Sequence, residues 1–198
     1  RLNDPFANQY GEPDENNTVV YTRINAEEGA EVKGINIEMN FIPGDYLTLK
    51  SGFTLQNSKY DEEQEFNEKE FTRTPGDYGY ISFTLKPSEL WALSLTGNYT
   101  GKMLIPYFGP RLSNPDEGEL RNSQRFFDMG MKLRYNIKLN GTTIQISGGI
   151  KNIFNSYQKD FDEGLNRDPG YIYGPLSPRA VYFGIKIGNF IRFPRNPL

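Results

Sequence analysis

Between Phe127 and Leu139 every second residue is apolar. Phe127, Met129, Met131, Leu133, Tyr135, Ile137 and Leu139 fall on one side, and Asp128, Gly130, Lys132, Arg134, Asn136 and Lys138 fall on the other. A repeat of two is the period of a β-strand; a helix cannot gather these residues onto one face. The same repeat returns along the chain. Ile35, Ile37, Met39 and Phe41 alternate with polar residues, as do Leu47, Leu49, Phe53 and Leu55. So do Ile81, Phe83 and Leu85, and Trp91, Leu93 and Leu95. Near the end Ile144, Ile146 and Ile150 alternate with Gln145, Ser147 and Lys151, and Val181, Phe183, Ile185 and Ile187 with Tyr182, Lys186 and two glycines. No segment carries a helical period.

The connections between these strands differ in length. Pro43-Gly44-Asp45, Pro87-Ser88-Glu89 and Asn140-Gly141 read as tight turns, the last with the preference of a type I′ hairpin. The connections at 59–77, 108–124 and 155–179 are long and polar. Short turns at one end and long loops at the other are the habit of membrane-spanning barrels, which place the long loops outside the cell. The stretch 19–41 is read as one long strand with a bulge at Glu27-Glu28-Gly29, which leaves residues 1–18 among the long loops. Seven strands result. Were 19–41 a hairpin instead, the count would be eight.

Composition agrees with strands that bury one face only. Of the 198 residues, 36% are hydrophobic and 14% aromatic, few aliphatics beside many rings. There is no Cys and no His. Thiolate chemistry, Ser-His-Asp catalysis and the usual neutral metal ligand are therefore unavailable to these residues, and an enzyme is not expected. The net charge is −3 and the cations are scattered, so no nucleic-acid partner is expected. No apolar run is long enough for a membrane helix. A barrel strand needs none, because its alternation averages out to low hydropathy.

The expected fold is all-β: an antiparallel, up-and-down transmembrane β-barrel, of which this chain is a C-terminal portion of seven to eight strands. Seven strands do not close a bacterial barrel, and an open sheet edge is costly in lipid, so further strands are expected before Arg1. Residues 1–190 are assigned to the barrel and 191–198 to a C-terminal tail.

Several motifs resemble TonB-dependent outer-membrane receptors. Gly34-Ile35-Asn36-Ile37-Glu38 followed by Pro43 resembles one barrel segment of that family, and Arg73-Thr74-Pro75 resembles another. Asn98-Tyr99-Thr100-Gly101 resembles a strand end in the same barrels. Ile150-Lys151-Asn152-Ile153-Phe154-Asn155, with Tyr157, resembles the signature near the last hairpin. Arg179, Tyr182, Phe183 and Gly184 resemble the start of the closing strand, although Pro178 stands where Gly is commoner. Tyr182 and the terminal aromatic Phe190 resemble the outer-membrane insertion signal, with eight residues following Phe190. The resemblance implies a 22-stranded barrel with a plugged lumen. It also implies outer-membrane lipid around the barrel, an N-terminal plug domain and the TonB complex as partners, and active transport of a scarce, large nutrient. A ferric siderophore, haem or cobalamin (a metal chelate or a corrinoid) is the implied substrate, and a surface lipoprotein could cap such a barrel.

The loops supply the candidate site residues. Tyr107 with Arg111, Arg167, and Tyr171 with Tyr173 are expected to contact substrate; the aromatics among them could stack on a ligand or pack their loop onto the wall. Asp160, Asp162 and Asp168 could share a Ca²⁺, because hard cations want several oxygens, although the spacing is not that of an EF-hand. The acidic run from Asp61 to Glu70 reads as a solvated loop, and Trp91 as part of an interfacial aromatic girdle. Two other readings remain open at this level: a soluble all-β surface module that binds carbohydrate or another ligand, and a small complete barrel of eight strands.

Overall fold

Alternation becomes register in the three-dimensional structure. The computed structural model describes residues 1–188 apart from 13, 17, 27, 111 and 113–116. Its strands are β1 (Phe6–Tyr10), β2 (Tyr21–Asn25), β3 (Ala30–Gly44), β4 (Leu47–Tyr60), β5 (Asp77–Leu85), β6 (Trp91–Thr100), β7 (Leu104–Tyr107), β8 (Glu119–Asn122), β9 (Phe126–Leu139), β10 (Thr142–Lys151) and β11 (Ala180–Gly188). Seven of them form one antiparallel sheet in the order β11-β10-β9-β6-β5-β4-β3. That is an up-and-down meander, interrupted only where the β7/β8 hairpin rises between β6 and β9.

Residues paired across neighbouring strands share a face. Phe41, Leu49, Phe83, Leu95, Met131, Ile150 and Val181 therefore form one apolar row across all seven strands. On the opposite face Asn40, Lys50, Ser82, Thr96 and Gly130 form a polar row. A slip of one residue in any pair would move its apolar set to the wrong side.

The apolar face is not a core. Ile37 is 68% exposed, Phe183 69% and Val181 78%. In a two-sheet sandwich this face would be covered; among the described residues no second sheet lies on it. The fully buried apolar residues of the large sheet are Ala30, Ala92 and Phe126, two small ones and one at a strand end. The hydrophobic cluster lies instead among the loops, where Ile105, Tyr107 and Tyr171 pack with Met103, Leu112 and Tyr173.

All three tight turns lie at one end of the sheet and all three long connections at the other. Two of the turns differ in detail from expectation. The first is made by Asp45-Tyr46, one residue late, because a bulge between Phe41 and Gly44 absorbs Ile42 and Pro43 on the edge strand. Proline is tolerated there because its missing N–H falls outside the ladder. At Asn140-Gly141 only the glycine has positive φ, 77°, whereas a type I′ turn requires it at both residues.

The stretch 19–41 is neither one strand nor a hairpin. β3 begins at Ala30, opposite the last residue of β4, Tyr60. Beyond that point no strand of the sheet remains to pair with. Residues 21–25 pair with β1 instead and form a separate two-stranded sheet. As expected, the N-terminal segment sits with the long loops: the Tyr60 hydroxyl donates to the Phe6 carbonyl, and the Tyr10 ring contacts Phe66 and Phe108. The loop expected at 108–124 contains β8.

Candidate functional site

The long loops interlock above the polar face. Arg73 connects them: its guanidinium donates to the carbonyls of Gly170, at 2.6 Å, and Ile172, at 3.0 Å. Its own N–H donates to the Leu104 carbonyl, at the start of β7. The Phe108 N–H, just past β7, donates to Asp168 at 2.9 Å, and the Asp168 N–H donates to Asp162 at 2.7 Å. Gln158, fully buried, donates to the Tyr171 carbonyl and accepts from the Tyr173 N–H. One residue from each of three connections thus restrains the others.

At the centre of this cap the Tyr107 and Tyr171 rings meet edge to face at 4.8 Å, and the Arg121 guanidinium lies 3.6 Å over the Tyr107 ring. The Tyr173 hydroxyl sits 2.6 and 2.7 Å from the two oxygens of Asp160, and the Tyr171 hydroxyl donates to the same carboxylate at 3.1 Å. Burial, reinforced by the Asp160 carboxylate, holds both phenols well above the ordinary tyrosine range. Both stay neutral and act as donors.

The expected binding residues separate in this arrangement. Tyr107 and Tyr171 are brought together, but buried, so they perform the loop packing that was the alternative to ligand stacking. Tyr173 is half-buried against Phe126. Arg167 is exposed and donates to the Gly164 carbonyl within its own loop. Arg111 lies outside the described residues. The three aspartates do not converge on a cation. Asp160 accepts from two tyrosines, Asp162 from a backbone N–H and Asp168 from two more, of Phe108 and Gly170. Among the described residues no group of three carboxylates could hold a metal ion. The shared Ca²⁺ site expected at Asp160, Asp162 and Asp168 is corrected accordingly: these side chains hold the loops by hydrogen bonds.

The Asn152–Asn155 motif proves architectural. Both asparagines have positive φ, 48° and 54°, a conformation that asparagine tolerates better than most residues. Asn152 donates to the carbonyls of Ser156 and Ser177 and accepts from the Ser156 N–H. Asn155 accepts from the Arg179 N–H. The motif turns the chain out of β10 and holds the entry to β11. Tyr182 belongs to the polar face, paired with Gly149, where a Cβ would strike its ring. Phe190 lies outside the described residues. Trp91 packs against Tyr135 on the apolar face, ring centroids 4.4 Å apart and tilted, beside the tight-turn end.

Below the loops the polar face carries an open depression of about 690 Å³, lined by Asn36, Glu38, Arg73, Tyr78, Tyr80 and Asn98 among others. This is the size of a small-molecule site. Its tyrosines were not anticipated as site residues. The signal was present, since Tyr78 and Tyr80 occupy polar-face positions of β5, where alternation leaves no lipid or core to explain an aromatic ring.

An antiparallel wall with one apolar face, one polar face, short turns and long capped loops has the strand pattern of a membrane-barrel wall. Comparison with solved structures finds the same fold. The chain is similar to the ferric-catecholate import receptor Fiu of Escherichia coli K12, with a TM-score of 0.59 and 15% identity, over 90% of this chain and 23% of that one. It is similar to Pseudomonas aeruginosa FpvA in a complex with an iron-loaded pyoverdine, at 0.60 and 17%, over 92% and 23%. The ferric enterobactin receptor PfeA of P. aeruginosa follows at 0.55 and 14%, over 95% and 27%. These neighbours are TonB-dependent receptors, transport proteins and not enzymes. The chain has the fold of part of their structure and spans about a quarter of their length. No protein-family model matches the sequence, and no curated protein matches it.

Proposed function

We propose that this chain is the C-terminal barrel portion of a TonB-dependent outer-membrane receptor that imports a scarce, large nutrient. One observation carries the reading: a seven-stranded sheet exposes an entire apolar face while its polar face carries an open depression beneath interlocked loops. Lipid is the solvent that makes such an exposed face favourable. The two sheet edges, β3 and β11, carry the N–H and C=O groups that the remaining strands of a closed barrel would pair.

A ferric siderophore is the substrate class favoured here, in keeping with what the structural neighbours bind. Tyr78, Tyr80 and Arg73 offer rings and a cation to a polar, anionic chelate. The absence of His from the chain removes the usual axial ligand for haem from these residues. A plug domain and the TonB complex act through the rest of the protein.

The test is fractionation of source cells with an antibody to this segment, followed by uptake of radioactive iron in a deletion strain. The expected result is a heat-modifiable outer-membrane band several times this chain's mass, and loss of uptake of an iron chelate on deletion. A soluble band near the mass of this chain would overturn the receptor reading; intact uptake of every chelate tried would overturn the siderophore assignment.

A further inference from the structure

The polar face and the loop cap are taken up by the proposed transport role; the tight turn between β9 and β10 is not. That turn is Asn140-Gly141, flanked by Leu139 and Thr142, which pair across it. Asn140 is the one asparagine of the chain that glycine follows. An asparagine side-chain amide is open to attack by the backbone nitrogen of the next residue, and the attack is least hindered where that residue has no Cβ. The geometry leaves this reaction free at the turn. Both residues are exposed. Gly141 has a φ of 77°, and a Cβ there would meet nothing within 4 Å. Asn140 does not share the positive φ, so the turn is not locked in the type I′ form. Among the described residues no hydrogen bond holds the Asn140 side chain or the Gly141 N–H. The next least hindered steps, asparagine before serine, fall at 57, 122 and 155, and each is restrained. Asn155 accepts from the Arg179 N–H, while the Ser156 N–H donates to Asn152 at 2.8 Å. The Ser123 N–H donates to the Met103 carbonyl at 2.9 Å. Asn57 lies inside the β3–β4 ladder, opposite Lys33.

We infer that Asn140 is a site of spontaneous covalent modification. The Gly141 nitrogen gives up its proton and bonds to Asn140 Cγ; the bond from Cγ to Nδ2 breaks, and ammonia leaves. The succinimide ring so formed takes up water. Opening at one carbonyl gives aspartate, and opening at the other gives isoaspartate, whose main chain runs through Cβ and Cγ. Solvent water is the only co-reactant. Either product places a carboxylate at the turn, two residues from Lys138. The isoaspartyl form also lengthens the main chain of the tight turn that sets the register of β9 against β10. Its free α-carboxylate makes the turn a methyl acceptor, so the partner that fits is a carboxyl methyltransferase that recognises isoaspartyl peptides.

The site is independent of the receptor reading, because the turn is exposed at the end of the sheet whatever the apolar face meets. The full-length protein that carries this segment is purified in non-ionic detergent and held folded at neutral and at mildly alkaline pH. A sample unfolded in urea is held beside it. Aliquots are digested and mapped by mass spectrometry. Isoaspartate is read by transfer of a labelled methyl group from S-adenosylmethionine with an isoaspartyl carboxyl methyltransferase. In the folded protein the peptide spanning Asn140 is expected to gain the mass of an amide-to-acid exchange and to accept methyl groups. Both should rise faster at the higher pH, because the attacking nitrogen must lose its proton. Peptides with Asn57, Asn122 and Asn155 should stay unchanged. Asn140→Gln should lose the signal at this peptide while keeping the strand signal of the wild type in circular dichroism. An unfolded sample that reacts beside a folded one intact at Asn140 would overturn the site, since the turn would then be protecting it. Equal reaction at Asn155 in the folded protein would overturn the selectivity, and an Asn140 silent in both samples would overturn the chemistry.

Discussion

The sheet and its loop cap obey opposite rules. In the cap, rings are buried, hydroxyls find acceptors and a cation lies over an aromatic face, as in the interior of a water-soluble protein. In the sheet, Ile, Leu and Phe point outward, and the largest side chains are among the most exposed. On the proposed membrane reading the difference follows from the solvent of each region: water drives the cap to bury its apolar groups, whereas lipid would leave the sheet with no such drive and ask only that backbone groups be paired. One chain can hold both because strands separate their two faces residue by residue, while loops cannot.

That contrast can be broken most severely in the middle of the wall. Leu133 lies on the apolar face near the centre of β9, and Ser94 is on the polar face of the adjoining strand. Leu133→Arg should cost about 2–4 kcal/mol of folding stability in vesicles, and Ser94→Arg little, because only the first places charge in lipid. Urea titration of the full-length protein in liposomes measures both. Equal effects would mean that the apolar face does not meet lipid.

Next in size is the hinge between wall and cap. Asn152→Ala forces alanine into a left-handed conformation and strips the Ser156 and Ser177 carbonyls of a donor. The expected loss is about 2 kcal/mol. Asn152→Gly should recover only the conformational part, which hydrogen exchange along β11 would report. Smaller still is the effect of Arg73→Ala, which frees two loop carbonyls at an exposed site and should cost about 1 kcal/mol. Trypsin cleavage after Arg167 should then run about fivefold faster, with the sheet unaffected. Unchanged cleavage would remove Arg73 as the tie between the loops.

The mildest perturbation is alkaline pH. The phenols of Tyr171 and Tyr173 are shifted upward in the folded cap by burial and by Asp160. A raised folded value stabilises fully below the unfolded tyrosine value of about 10 and is lost as pH climbs through the folded one. The cap should therefore be insensitive to pH in the neutral range and loosen only in strong alkali. Exchange of the amides around Tyr171, followed from neutral to alkaline pH, checks this; loosening already near neutrality would deny the Asp160 network its role.

Much of the wall was legible in advance. Seven strands, their inward and outward residues and the ends carrying tight turns all follow from a period of two, because one buried or lipid-facing side makes register almost obligatory. The Asn152-Ile153-Phe154-Asn155 segment also stood out, although what it does became visible only with its backbone angles and hydrogen bonds. The stretch 19–41 misled, since β-propensity cannot say where a strand loses its partner and takes another. The aspartates at 160, 162 and 168 misled in a different way: three carboxylates in one loop suggested a cation, but tyrosine hydroxyls and backbone N–H groups of the same loop, with the Phe108 N–H from another, are bonded to their oxygens.

What the sequence determined by itself is therefore the wall: alternation is a local property, and each strand carries its own two faces. What only the tertiary structure decided is the cap and the depression beneath it. Tyr107 and Tyr171, Arg73 and Gly170, Phe108 and Asp168 are far apart along the chain, and no period links them. Their meeting depends on where seven paired strands leave the loop ends, a consequence of register summed across the whole sheet and written in no single segment.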